Sequence, residues 1–184
     1  MRIGPGWISD SEISLHEKYM TSTTGTILEG GAFGGKLFTN LHPLFPDWKY
    51  VAVNAWSSEH TYIPKNNEID YHQDLNVLEE KKANLMTKKK FLKFCPWATA
   101  IDGYFEDYNP KEKFDIISIG QLSRRIDWEL QYRHAMELLK EDGIVIARHL
   151  NVRNHKSNIL RAIQNFEILE YSSCGKNAAI KPRR

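Results

Sequence analysis

The chain has 184 residues, 41% hydrophobic and 26% charged, enough apolar material for one substantial core and too much for an unfolded segment. A formal net charge of +2 is too small to imply nucleic acid, and no apolar run nears the ~20 residues of a membrane-spanning helix. Cys95 and Cys174 stand far apart with no Cys or His at a metal-ligand spacing, which excludes a disulfide framework and a structural zinc site.

In chain order, a polar amino-terminal arm comes first, containing His16 and Tyr19. Its Asp10, Glu12 and Glu17 stand where a secretory signal would be apolar, so a cytoplasmic protein is expected. Thr26–Leu28 reads as the first strand. Leu37, Phe38, Leu41, Leu44 and Phe45 then recur at helical spacing, with Pro43 and Pro46 ending or kinking that helix. Tyr50–Val53 is a second, buried-type strand, and Asn54–Asp74 is polar and irregular. Val77–Phe94 suggests a surface helix with one apolar stripe among its lysines, stopped by Pro96. Strands follow at Ala98–Ile101 and Phe114–Ile119, then a helix over Trp128–Lys140 closed by Asp142-Gly143, and a fifth strand at Ile144–Ala147. Finally, Phe166–Tyr171 and Ala178–Ile180 form a hairpin across Ser172–Asn177, so the last strand enters antiparallel. Strands alternating with helices predict a doubly wound α/β sheet, parallel except for that last strand. One domain is expected, residues 1–24 as an arm and 25–182 as the core.

Chemistry concentrates at Glu29-Gly30-Gly31-Ala32-Phe33-Gly34-Gly35, where a strand ends in a carboxylate and a tight turn leads into a helix. Glycines allow positive φ and let a ligand lie against bare backbone. Just beyond the fifth strand, His149 falls at the carboxyl edge, where ligands of open α/β sheets bind. Arg148 and Arg153 flank it, and Arg124 and Arg125 follow strand four at the same edge, so an anionic substrate held by Arg124 and Arg148 while His149 accepts a proton is one reading. Asp70, His72 and Asp74 alternate and would share a side of an extended segment, a minor candidate for a metal.

This succession resembles the class I S-adenosylmethionine-dependent methyltransferases over about residues 25–182. Their signature, a strand, an acidic residue, one residue, Gly, three residues, Gly, is matched by Glu29, Gly31 and Gly35, with Phe33 replacing a glycine often found between. The resemblance implies a Rossmann-like sheet of six parallel strands and an antiparallel seventh. It implies S-adenosylmethionine as cofactor, S-adenosylhomocysteine as product, and cofactor contacts from Glu29, Gly30, Gly31, Ala32, Phe33 and Gly35. Asn54 stands where an acidic residue usually bonds the ribose hydroxyls. Asp102 matches the residue that accepts from the adenine amino group, with Gly103 and Tyr104 beside it, and Ser118, near the end of strand four, belongs to the same set. Phe114-Asp115-Ile116-Ile117 and Leu138–Ile146 resemble two further patterns of the family.

Metal-dependent members place an Asp at the end of strand four, where Ser118-Ile119-Gly120-Gln121 has none, so a metal-free reaction is implied. The arm often closes over the pocket in this family, which makes His16 and Tyr19 further catalytic candidates after His149. The Asp/Asn-Pro-Pro-Tyr/Phe tetrapeptide and the Pro-Cys nucleophile of DNA methyltransferases are missing, so a small molecule or sugar is the expected acceptor rather than nucleic acid. Two rivals stay open. Gly-x-Ala-x-x-Gly across Gly30–Gly35 also fits a dinucleotide turn and an NAD(P)-dependent oxidoreductase. A non-catalytic relative serving as a binding subunit is the other.

Overall fold

The computed structural model describes residues 8–56, 87–120, 127–148, 150 and 161–183. Helix α1 (Asp10–Tyr19) leads into β1 (Thr26–Gly30), α2 (Lys36–Leu41), β2 (Lys49–Asn54), α3 (Lys88–Phe94) and β3 (Thr99–Asp102). A 3-10 turn (Phe105–Asp107) then precedes β4 (Phe114–Ile119), α4 (Trp128–Leu138), β5 (Leu139–Ala147), β6 (Phe166–Tyr171) and β7 (Ala178–Pro182).

The seven strands form one sheet in the order β3-β2-β1-β4-β5-β7-β6. Pairings from β3 through β5 are all parallel, and β7 is antiparallel to both β5 and β6, so six strands share a direction and β7 opposes them. Both faces are covered, because alternate residues of each strand enter different cores. Ile27, Tyr50, Ala52, Ile116 and Ile146 pack with Leu15 of α1, Leu37 and Phe38 of α2, and Phe91 of α3. Leu28, Val51, Val53, Ile117 and Val145 pack with Tyr132, Ala135 and Leu138 of α4. Burial on two sides explains the near-continuous apolar runs of the parallel strands.

Two expectations need correction. The polar arm contains a helix, α1, opened by a reciprocal cap in which Ser9 Oγ accepts from Glu12 N at 3.3 Å and Glu12 Oε2 accepts from Ser9 N at 3.2 Å. The second helix stops at Leu41, with His42 as its C-cap, as expected of Pro43, which has no N–H to continue the ladder. Gly143 does not close a helix. It lies inside β5, where the register against β4 shifts between Phe114 and Ile116, and a Cβ there would stand 2.9 Å from the Phe114 carbonyl oxygen. A glycine after a helical run signals a stop and a bulge alike, and here the strand's close approach requires it.

Ser9→Ala removes the side-chain half of the α1 cap and costs about 1 kcal/mol. For a chain of this size that lowers Tm by about 2–4 °C in calorimetry, with the circular dichroism spectrum unchanged.

Candidate functional site

The strand order reverses between β1 and β4, since β2 and β3 lie to one side and β4 and β5 to the other. A crevice at such a switch point, at the carboxyl ends of the strands, is where open α/β sheets bind ligands. Here it is rimmed by the turn after β1 and the tips of β2 and β3.

Backbone and side-chain bonds fix that turn. Gly31 donates its N–H to the Val53 carbonyl at 2.9 Å and takes φ 77, and Phe33 is left-handed at φ 43 although it is not glycine. Phe33 is held there from both ends: its N–H donates to Asn54 Oδ1 at 3.3 Å, and its carbonyl accepts from Trp56 Nε1 at 2.8 Å. Strained residues so supported cluster at ligand sites. Asn54 is register-paired with Asp102, and its carbonyl accepts from Gly103 N at 3.1 Å. Asp102 is exposed, and Phe33 and Tyr104 are 53% and 43% exposed. The sheet therefore brings Gly31, Ala32, Phe33, Asn54, Asp102, Gly103 and Tyr104 to one rim.

Two glycines are bare for a different reason. A Cβ on Gly30 would meet the Phe105 ring at 2.9 Å, and one on Gly35 would meet Cys95 Sγ at 2.6 Å and Phe91 at 2.8 Å. Those positions are dictated by the protein's own packing rather than by a ligand.

Below the turn, on the side of α1, lies a buried polar network. Arg148, just past β5, donates to Glu12 of α1 and, at 2.6 Å, to Glu29 of β1. Their side chains are 7%, 4% and 3% exposed. Burial pushes the Glu29 carboxyl up to about 7 against the pull of Arg148, and Glu12 adds to the rise. Next to it, His16 Nδ1 lies 2.7 Å from the Glu12 carbonyl and Nε2 lies 3.0 Å from Ser118 Oγ. A carbonyl only accepts, so Nδ1 carries the proton and Ser118 donates to Nε2. Burial pushes this imidazole down to about 4 and keeps it neutral.

Several sequence expectations change here. His16, expected to act as a base at the substrate, is fully buried with both nitrogens engaged, and Ser118 is its partner rather than part of the rim. Arg148, expected to hold an anionic substrate, is committed to two carboxylates. Tyr19 sits a turn beyond His16, packed against the core below α1. His134, on α4, lies with Nε2 2.9 Å from the Tyr108 carbonyl and its ring edge-on to Phe105. His149, Arg124, Arg125, Arg153, Asp70, His72 and Asp74 lie outside the described residues. Among the described residues no cluster of His, Cys, Asp and Glu could hold a metal ion, and no helix is long and apolar enough to cross a membrane. An open hollow of about 340 Å³ between residues 20–23 and 44–47 is at the opposite, amino edge and takes no part in this rim.

Trp56 and Glu12 were not foreseen. Ser9-x-x-Glu12 is a readable capping signature, whereas no local pattern marks Trp56 as the brace of a turn over twenty residues earlier.

No protein-family model matches the sequence, and no curated protein sequence matches it. Solved structures do. The chain is similar to the ribosomal protein L11 methylase from Lactobacillus delbrueckii subsp. bulgaricus, with 16% identity and a TM-score of 0.59 over 99% of this chain and 82% of that one. It is similar to the N-methyltransferase NodS from Bradyrhizobium japonicum WM9, with 11% identity and a TM-score of 0.57 over 96% and 98%. It is also similar to the precorrin-6y C5,15-methyltransferase from Geobacter metallireducens GS-15, with 12% identity and a TM-score of 0.52 over 91% and 83%. At these identities the likeness is one of fold: the chain has the class I S-adenosylmethionine-dependent methyltransferase fold.

The buried network has opposite pH signatures. His16, lowered from 6.5 to about 4, contributes stability that is fully present above pH 6.5 and lost as pH falls through 4. Glu29, raised from 4.5 to about 7, contributes stability fully present below pH 4.5 and lost as pH rises through 7. Urea denaturation of the protein and of His16→Gln isolates the first effect. The advantage of the wild type shrinks by about 2 kcal/mol between pH 7 and pH 4.5.

Proposed function

We propose that this protein is an S-adenosylmethionine-dependent methyltransferase that methylates an oxygen or nitrogen of a small molecule or sugar without a metal and releases S-adenosylhomocysteine. The observation that carries the reading is the meeting, at the switch point of a methyltransferase-type sheet, of the left-handed Gly31–Phe33 turn, Asn54, and exposed Asp102 beside Tyr104.

The residues at this rim suit an adenosyl ligand. Asn54 spends one lone pair of Oδ1 on the Phe33 N–H, and a primary amide has further donors and acceptors for two ribose hydroxyls. The Asp102 carboxylate accepts from an exocyclic amine, and the exposed rings of Tyr104 and Phe33 offer apolar faces to a base. Turn backbone around Gly31 approaches the amino-acid end of the ligand, with Glu29 buried beneath it. When bound, the cofactor supplies a methyl group on an already activated sulfonium, so the protein's main contribution is alignment, worth on the order of 7–11 kcal/mol.

A hydroxyl or ammonium acceptor also needs a base. His149 is our candidate, since a histidine near its ordinary pKa suits the task and it follows the last residue of the buried network in sequence. Arg124 is our candidate for holding an anionic acceptor. Ser118-Ile119-Gly120-Gln121 replaces the Pro-Pro tetrapeptide of amino-directed DNA enzymes, which favours acceptors other than a DNA base.

Titration calorimetry with S-adenosylmethionine, S-adenosylhomocysteine and NADPH tests the assignment. Binding of the first two is expected, and binding of NADPH alone overturns it in favour of an oxidoreductase. Asp102→Asn exchanges a charge-assisted acceptor for a neutral one and weakens adenosyl binding about tenfold, with unchanged far-UV circular dichroism. Unchanged affinity removes Asp102 from the site.

A further inference from the structure

Beneath the glycine turn one guanidinium serves two carboxylates drawn from different parts of the chain. Glu12 comes from the first turn of α1, Glu29 from the tip of β1, and Arg148 from the end of β5. With both acids ionised, these three groups carry one negative charge in excess. Among the described residues, Glu29 Oε2 is moreover buried without a hydrogen-bond donor. An ionised oxygen in that condition is costly unless positive charge stands nearby.

The network sits directly under the ligand turn. A Cβ on Gly120 would stand 3.0 Å from an Arg148 guanidinium nitrogen, 3.2 Å from the Gly30 carbonyl and 3.3 Å from the Gly31 carbonyl, so no side chain separates them. Among the described residues, the groups that face Glu29 are Arg148, Glu12, neutral His16 one turn along α1, Ser118 across the β4 register, and Cys95 at the end of α3, whose thiol burial pushes up to about 12. Of these, Arg148 alone is cationic.

We propose that Glu12 is a positioning residue for ligand discrimination: through Arg148 and Glu29 it keeps surplus negative charge under the turn, which favours the cationic sulfonium nucleoside over the neutral thioether left after transfer. This rests on the adenosyl reading above. The two ligands share their adenosine and amino-acid ends and differ by the methyl group and its positive charge. A contact that merely shapes the pocket acts on both alike; a charge below it acts on one.

The test is calorimetric titration of the wild type and Glu12→Gln with S-adenosylmethionine and with S-adenosylhomocysteine. Glutamine keeps an oxygen for Arg148 and removes the charge. The expected result is about a tenfold rise in Kd for the sulfonium and a change within about twofold for the thioether. Equal losses for both ligands, or none, overturn the inference while leaving the adenosyl reading intact; wild-type protein that binds neither overturns that reading and the inference with it. Should Glu12→Gln not fold, the wild type decides alone. Between pH 8 and pH 6 Glu29 takes up a proton and the excess charge is lost, so the sulfonium-to-thioether preference declines, while the amino group common to both ligands cancels from the ratio. A preference constant over that range overturns the inference.

Discussion

Arg148 joins three stretches of chain. Its guanidinium binds Glu12 at the start of α1 and Glu29 at the tip of β1 while its own backbone extends β5, with Arg148 N donating to the Ile119 carbonyl of β4 at 3.1 Å. Removing Arg148 would leave two carboxylates facing each other in a site from which water is excluded, and breaking such a cluster costs several kcal/mol, whereas the intact cluster adds little net stability over an apolar one. What the cluster supplies is placement. It fixes α1 across the ends of β1, β4 and β5, and the His16–Ser118 bond repeats the attachment one turn along the helix.

That attachment explains how the glycine turn can be both tight and open. The protein itself packs against it from both faces of the sheet: Phe105 presses on Gly30 from the side of α4, Phe91 and Cys95 press on Gly35 from the side of α1, and Arg148 lies against Gly120. Its upper side keeps the left-handed backbone of Gly31 and Phe33 and the exposed Phe33 ring. The side left open faces the tips of β2 and β3, where the Phe33 N–H is bonded to Asn54.

The parts of the fold legible in the sequence are those set by local pattern. Tyr50–Val53, Phe114–Ile119 and Ile144–Ala147 read as strands because both faces of a parallel strand are buried, and the polar Ser172–Asn177 connection reads as a hairpin through its Gly175, which takes φ 66 in the structure. What escaped depends on partners distant in sequence. Glu12 and His16 make α1 look like a solvated arm, yet both are buried, because Arg148 and Ser118 satisfy them from more than a hundred residues away. Arg148 is a parallel case: an arginine beyond a strand suggests a substrate clamp, and the two acids that claim it come from α1 and β1, far away in sequence. At the rim, strand order alone was enough to bring Gly31, Asn54 and Asp102 to one edge.

Asn54 is the point at which fold and site meet. An acidic residue at the end of the second strand would be free to bond a ribose, and its replacement by an amide looks like a loss. In this chain the residue has a structural task, since Asn54 Oδ1 and Trp56 Nε1 grip Phe33 at its N–H and its carbonyl. Phe33 needs that grip because it occupies a left-handed conformation that the more usual glycine adopts without strain. A carboxylate could accept from Phe33 equally well, but it would add a further negative charge near a turn that already has the excess of Glu12 and Glu29 beneath it. The phenylalanine and the asparagine are therefore one joint departure: a ring is placed at the mouth of the crevice, and a neutral amide holds it there without deepening the field below.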